Sequence, residues 1–360
     1  MRDEGSYLRV FADMRSVALL VPGRLDTPTG GYVYDRRIVE GLRQRGWAVD
    51  VNELDDSFPH PSLAARRVAA DTLSSLPAGT VVLVDGLAFG AMPEVLACES
   101  LRLRFVAIVH LPLSWEVGLD AHRSAVLARF ERRALSTAAA VVVTGPRTFE
   151  ALAPDRISSG RLHLIEPGTD KAALSRGSNT PTVALLSVGS VTPGKGHDVL
   201  IRALATLRDA RWTLTCAGSL ARSPSFVDRV RGLVRDLDFA DRVELAGELT
   251  GSALDECYDR ADVFVLATQL ETYGMAVAEA LARGLPVVST RTGAIPRLVG
   301  SDAGLLVAPG DTSALADAMR RVIGDADLRQ RLAAGARRAR DRFEGWDVAI
   351  RKMEAVLEGV

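Results

Sequence analysis

Along the chain, short unbroken apolar runs rich in β-branched residues alternate with longer segments whose apolar positions recur at helical spacing. The runs Val17–Val21, Ala48–Asn52, Val81–Val84, Phe105–Val109, Ala140–Val143 and Leu162–Ile165 predict strands in the first half. Val183–Val188, Trp212–Ala217, Arg242–Ala246, Val263–Ala267, Pro286–Ser289 and Leu305–Val307 predict strands in the second. Each is bounded by Gly, Pro or Asp and is apolar on both faces, as in parallel sheets covered by helices. The intervening helices, such as the one carrying Tyr34, Ile38 and Leu42, complete a strand–helix alternation that predicts an α/β fold of two doubly wound, Rossmann-like parallel-sheet domains. The polar segment Glu166–Pro181 (EPGTDKAALSRGSNTP) has the composition of an exposed connection, which gives domains over 1–172 and 173–344. Trp346, Ile350, Met353 and Leu357 predict a last amphipathic helix over 345–360. No short-period repeat is present, which sets aside solenoids and propellers.

Composition narrows the classes. The chain has 360 residues, 48% hydrophobic and 25% charged, enough for two cores. A net charge of −1 argues against nucleic acid as a main partner. Cys98, Cys216 and Cys257 lack metal-ligand spacing and are odd in number, so reduced thiols and no zinc site are expected. No apolar run approaches the ~18 residues of a membrane span, and Asp3 and Glu4 precede any apolar stretch, unlike a signal peptide. These features predict a cytoplasmic location. The segment 122–135 interleaves Arg123, Arg129, Arg132 and Arg133 with Val126, Leu127 and Phe130. It reads either as a solvated helix packed on a core or as a peripheral contact with the inner face of a membrane.

Four stretches carry candidate chemistry. In Gln269–Thr290 (QLETYGMAVAEALARGLPVVST), Glu271 and Glu279 flank a strand-to-helix turn opened by Tyr273, Gly274 and Met275. Free amides at such a turn attract phosphate oxygens, and carboxylates accept hydrogen bonds from sugar hydroxyls. Either Glu alone would also suit an ordinary first helical turn. After the first strand of the second half, Gly189 and Gly194-Lys195-Gly196 form a loop in which Lys195 offers a charge to a diphosphate; a lone loop lysine is equally a solvated one. Gly30-Gly31 lies between the first strand and a helix, either as a close approach to a ligand or as a simple turn. His110 ends a strand where parallel sheets place ligands, though a histidine can merely cap a strand end. G-x-G-x-x-G after the first strand and a Walker A string are both missing, so dehydrogenase and P-loop readings lose their main support.

Glu271, Tyr273, Gly274, Glu279, Ala280, Gly284, Pro286 and Val287 together resemble the E-x7-E signature of retaining GT-B glycosyltransferases of family 4. The similarity continues more loosely through Gly168, Asp170, Gly218, Leu245–Thr250, Gly293 and Leu306–Asp311. It implies a GT-B fold with two domains facing across a cleft, hinge closure near 166–181, and a terminal helix that crosses back onto the N-terminal domain. It also implies metal-independent transfer of a sugar, with retention, from a nucleoside diphosphate sugar to an acceptor hydroxyl on a glycan, lipid or small molecule. By the resemblance, Lys195 would clamp the diphosphate, Gly31 would approach it or the acceptor, and His110 would bond the sugar. Backbone near Gly247–Leu249 would frame the base, Glu279 would take the ribose diol, and Glu271 would orient the sugar, with no cofactor beyond the donor. The departing phosphate would take the acceptor proton.

Two departures stand out. Ser190 occupies the place of the family's diphosphate-binding Arg, so Arg147 or Arg291 reaching in, Lys195 with helix amides alone, or a weak site are all open. Arg297 stands where Glu is frequent. Ser190 motivates the alternative of a degenerate nucleotide-binding subunit; a GT-B sugar-nucleotide epimerase is another, and a phosphorylase lacks its pyridoxal lysine context.

Overall fold

A computed structural model describes residues 15–153 and 157–360; Asp3 and Glu4 lie outside them. The described residues form two compact units, the first holding those up to Thr27, those of Gly31–Pro167 and Trp346–Val360, the second Pro28–Gly30 and Gly168–Gly345.

The first unit is built on six strands: β1 Ser16–Pro22, β2 Ala48–Leu54, β3 Val81–Asp85, β4 Arg104–Val109, β5 Ala140–Val143 and β6 Leu162–Leu164. They line up as β2-β1-β3-β4-β5-β6, all parallel. The second unit has β7 Val183–Val188, β8 Trp212–Ala217, β9 Val243–Gly247, β10 Val263–Leu266, β11 Val287–Thr290 and β12 Gly304–Val307, in the order β12-β11-β10-β7-β8-β9, also parallel. All twelve predicted strands are present. β2 runs two residues past its predicted end, through Glu53 to Leu54, because it is an edge strand and tolerates polar side chains on an open flank.

Helices cover both faces of the second sheet. Trp212, Ile201, Val230 and Met319 fill one side, and Tyr258, Phe264, Leu281 and Ile295 the other. Trp212 and Phe239 meet edge to face at 5.1 Å. In the first unit, Leu20, Val84, Phe89, Phe105 and Val141 are buried in one cluster. Each sheet reverses its winding once, between β1 and β3 and between β7 and β10, and ligand crevices of open α/β sheets form outside the carboxyl ends of strands at such points.

The segment 166–181 has no regular structure, yet it is not loose. Ser175 donates from its backbone to Arg283 O and from its hydroxyl to Asp259 O and Ala261 O, while Asp262 accepts from Ser178 N and Ala184 N. Its polar residues are hydrogen-bonding straps onto the second unit as much as solvated linker.

The helix Trp346–Glu358 packs within the first unit. Its buried Glu354 accepts from Arg15 at 2.7 Å, Arg45 at 2.5 Å and Trp47 Nε1 at 3.1 Å. Three donors favour the ionised form and hold its carboxyl below the usual range, Trp47 contributing most.

Candidate functional site

In the second unit the loops after β7 and β10 leave neighbouring strand ends at the switch point and interlock. A tight turn Pro193–Lys195 leads into Gly196, at φ +66°, which opens the helix His197–Leu204. A Cβ on Gly196 would stand 2.0 Å from Ala267 O, so only glycine lets the two loops meet. Gln269 N donates to Gly194 O at 2.7 Å, and the buried Thr268 hydroxyl reaches the same carbonyl at 3.0 Å. Thr268 O in turn accepts from Thr290 Oγ1 at 2.7 Å.

This interlock brings Lys195 and Glu271 together: Lys195 Nζ donates to Glu271 Oε1, with side chains 30% and 13% exposed. Two residues on, Tyr273 is buried and Gly274, at φ +99°, opens the helix Met275–Ala282 at its amide end. Glu279 lies one turn further along and accepts from Tyr258 Oη at 2.9 Å. Burial, together with that carboxylate, drives the Tyr258 hydroxyl's pKa well above the ordinary tyrosine value, so the phenol stays a donor. A lysine, a carboxylate and the positive amide end of a helix at one switch point can hold an anion and hydroxyls at once.

The remaining candidates of this unit lie around that crevice's sheet. Ser190 is half-buried two residues beyond β7, and Gly189 N bonds Ala217 O. Gly247 ends β9 with its carbonyl accepting from Gly218 N at 2.7 Å, and Leu249 is half-buried in the loop that follows. Arg291 is exposed after β11. Arg147 belongs to the first unit and stacks its guanidinium 5.5 Å from the Trp115 ring centre. His197 is 1% exposed with neither ring nitrogen bonded, and burial beside Lys195 pushes it down to about 4, so it stays neutral.

In the first unit His110 follows β4 beside two buried aspartates that the sequence reading did not single out. Its Nε2 lies 3.0 Å from Asp35 Oδ1 and 3.6 Å from Asp85 Oδ2. Asp35 is 1% exposed on the helix Gly30–Gln44, and Asp85 is 3% exposed at the end of β3, where it caps Leu87 N at 2.8 Å. Tyr34 meets the imidazole edge-on at 5.3 Å between ring centres. A Cβ on Gly31 would approach His110 Cδ2 to 3.1 Å, so the glycine packs directly on the ring. Burial alone would lower the His110 pKa, but the Asp35 charge and hydrogen bond, with Asp85 behind them, raise it. Burial and the Asp35 charge push Asp85 up to about 7. Among the described residues, Asp35, Asp85 and His110 form the group able to ligate a cation, their ligand atoms lying within 4.8 Å of one another. Nε2 of that ring pairs with Asp35 Oδ1.

The helix Ala121–Leu135 buries Leu127, Ala134 and Leu135 against its own unit and leaves Arg123, Arg129, Arg132 and Arg133 exposed. Among the described residues no helix is long and apolar enough to cross a membrane. The three cysteines are free, and burial pushes Cys216 up to about 12, making it unreactive.

Residues 170–339, nearly the whole second unit, match the family described as glycosyl transferases group 1. A D-inositol 3-phosphate glycosyltransferase of Xylanimonas cellulosilytica is 33% identical over 54% of this chain and 50% of its own length. That of Acidothermus cellulolyticus is 29% identical over 92% of this chain and 86% of its own. The chain thus spans about half the length of the first of these relatives. Sucrose-phosphate synthase of Thermosynechococcus elongatus superposes with a TM-score of 0.80 at 20% identity, covering 96% of this chain and 98% of that one. Anabaena Alr3699/HepE in complex with UDP and glucose gives 0.73 at 16% identity over 96% and 99%. These likenesses show the two-domain GT-B fold.

Proposed function

We propose that this chain, whose residues 170–339 match the group 1 glycosyl transferases, moves a sugar from a nucleoside diphosphate sugar to an acceptor hydroxyl with retention of configuration. The observation that carries the reading is the Lys195–Glu271 pair, seated at a sheet switch point beside the amide end of Met275–Ala282. Within the chain each charge answers the other. A donor would exchange that pair for two better partners, its diphosphate for Lys195 and its sugar hydroxyls for Glu271. Glu279, held by Tyr258, takes the ribose diol, and backbone near Gly247 and Leu249 frames the base. On the first unit, His110 and Gly31 serve the sugar and acceptor.

Charge developing on the leaving diphosphate is met by Lys195 and the helix amides, a cationic and dipolar arrangement that can act without a divalent ion. Ser190 brings no guanidinium, so more of the task falls on Lys195. Retention follows a same-face route in which the departing phosphate takes the acceptor proton, with Glu271 bonded to the sugar hydroxyls so that it orients the sugar rather than attacks it. The acceptor class extends from small polyol phosphates, as in the names of the relatives, to lipid-linked glycans, for which the exposed arginines of Ala121–Leu135 would offer a peripheral contact.

A thermal-shift panel of UDP, GDP, ADP and their sugar conjugates, with magnesium or with EDTA, tests the reading. UDP leads because a fold relative was solved with it. A ligand at 100 times its Kd adds about 2.7 kcal/mol of stability. One base should shift the melt equally in EDTA, and the anomeric signal of the product by proton NMR should match that of the donor. A shift without turnover would point to the non-catalytic subunit; no shift with any nucleotide would sink the assignment.

A further inference from the structure

The crevice of the second unit leaves unexplained why two buried aspartates converge on one histidine in the first. Asp35 and Asp85 are 1% and 3% exposed, come from different elements, and both face His110 Nε2, at 3.0 and 3.6 Å. Asp35 Oδ2 is buried without a hydrogen-bond partner. Two carboxylates and a neutral imidazole would bury two negative charges in one place, which the low dielectric of the site penalises heavily. Protons relieve it: one makes the ring an imidazolium against Asp35, and one on Asp85 gives the neighbouring carboxylate a donor.

We propose that Asp35 and Asp85 are positioning residues that hold His110 by Nε2 and keep it cationic, so that its Nδ1–H is presented to an oxygen of the sugar or phosphate as a charged hydrogen-bond donor. The ring is fixed on three sides. Asp35 takes Nε2, Gly31 closes on the Cδ2 edge, and Tyr34 packs edge-on. Nδ1 is the nitrogen left for a ligand. Held this way, His110 is unsuited to act as a general base, since its second nitrogen already carries a proton. The titratable groups set around it are Asp35 from the helix Gly30–Gln44, Asp85 from β3 and the Tyr34 phenol, which burial keeps protonated. The raised pKa of His110 accords with this arrangement.

The ligand named for Nδ1–H and the kinetic arm rest on the glycosyltransferase reading, whereas the cationic state of His110 does not, so the test has an arm that needs no turnover. Nitrogen-15 labelling of the five histidines, with His110 assigned by comparison with His110→Gln, reads tautomer and titration in the free protein. The wild type should carry a proton on Nε2 throughout and lose the Nδ1 proton above the ordinary histidine range. Asp35→Asn should lower that midpoint by about one unit or more, the scale of losing a close opposite charge. Asp85→Asn, which can still cap Leu87 N, should lower it less and covers the case in which Asp35→Asn fails to fold. In the kinetic arm, the alkaline limb of kcat against pH should move down with the midpoint in each variant, whereas a merely structural role would scale the whole profile without moving the limb. A wild-type Nε2 without a proton, or midpoints unmoved in folded variants, overturns the proposal, as does one equivalent of a divalent ion lost with the cluster in Asp35→Asn. If no sugar nucleotide is turned over, the reading of function fails while the NMR arm still decides this one.

Discussion

Lys195 and Glu271 neutralise each other, so changing one alters the other's availability. Glu271→Gln frees Lys195 for an anion while removing a charged acceptor for sugar hydroxyls. Nucleoside diphosphate should therefore bind at least as tightly as in the wild type, and kcat for transfer should fall, which calorimetry and initial rates separate. Lys195→Ala should cost about 10²–10³-fold in kcat, as when one donor to a developing oxyanion is lost, with donor affinity less affected. Tyr258→Phe removes the donor to Glu279 and should weaken nucleotide binding by about 1 kcal/mol, the net worth of one such hydrogen bond. Lys195, Glu271 and Glu279 were legible because glycines and spacing set them in a recognisable string. Thr268, Tyr258, Asp35 and Asp85 were not, since a Thr or Asp after a strand says nothing until the partner it reaches, 74 positions away for Thr268 and Gly194, is known.

At the scale of elements, the terminal helix Trp346–Glu358 shows what periodicity can and cannot tell. Its apolar stripe was plain, and Trp346, Met353 and Leu357 are buried as the spacing predicts. Its anchor was not plain, because Glu354 bonds Arg15, Arg45 and Trp47, which lie 339, 309 and 307 positions away. Glu354→Ala leaves the buried Trp47 indole N–H without its acceptor and should cost about 1–3 kcal/mol by denaturant unfolding. The helix Gly30–Gln44 carries Gly41 in its interior, where glycine is intrinsically unfavourable by about 1 kcal/mol. The reason is contact: a Cβ there would fall 2.1 Å from Ile350 Cδ1. Gly41→Ala should therefore destabilise despite its better helix propensity, and Gly41→Ala with Ile350→Val should recover part of the loss. If the single change instead raised the melting temperature, the close approach of these helices would not be what requires the glycine.

For the molecule as a whole, local pattern gave every strand yet not the order in which the strands sit, since order is fixed by which crossovers wind to which face. The second sheet reverses between β7 and β10 and the first between β1 and β3, so the residues of each crevice come from elements far apart in sequence. The first sheet's reversal also sets the response to pH. Asp85, pushed up to about 7, and His110, raised as well, both bind protons more tightly folded than unfolded. Stability from such groups is greatest at low pH and is lost as pH rises, for Asp85 between its unfolded value near 3.8 and about 7, for His110 on passing its raised folded value. Glu354 works in the opposite sense, its stabilisation being lost as pH falls through its lowered folded value. Asp85→Asn mimics the protonated carboxyl at every pH. Its melting temperature should therefore rise above the wild type's at pH 8 and lie closer to it at pH 5. A gap of equal size at both values would mean that the folded chain does not hold that proton, and that the buried pair beside His110 is stabilised in some other way.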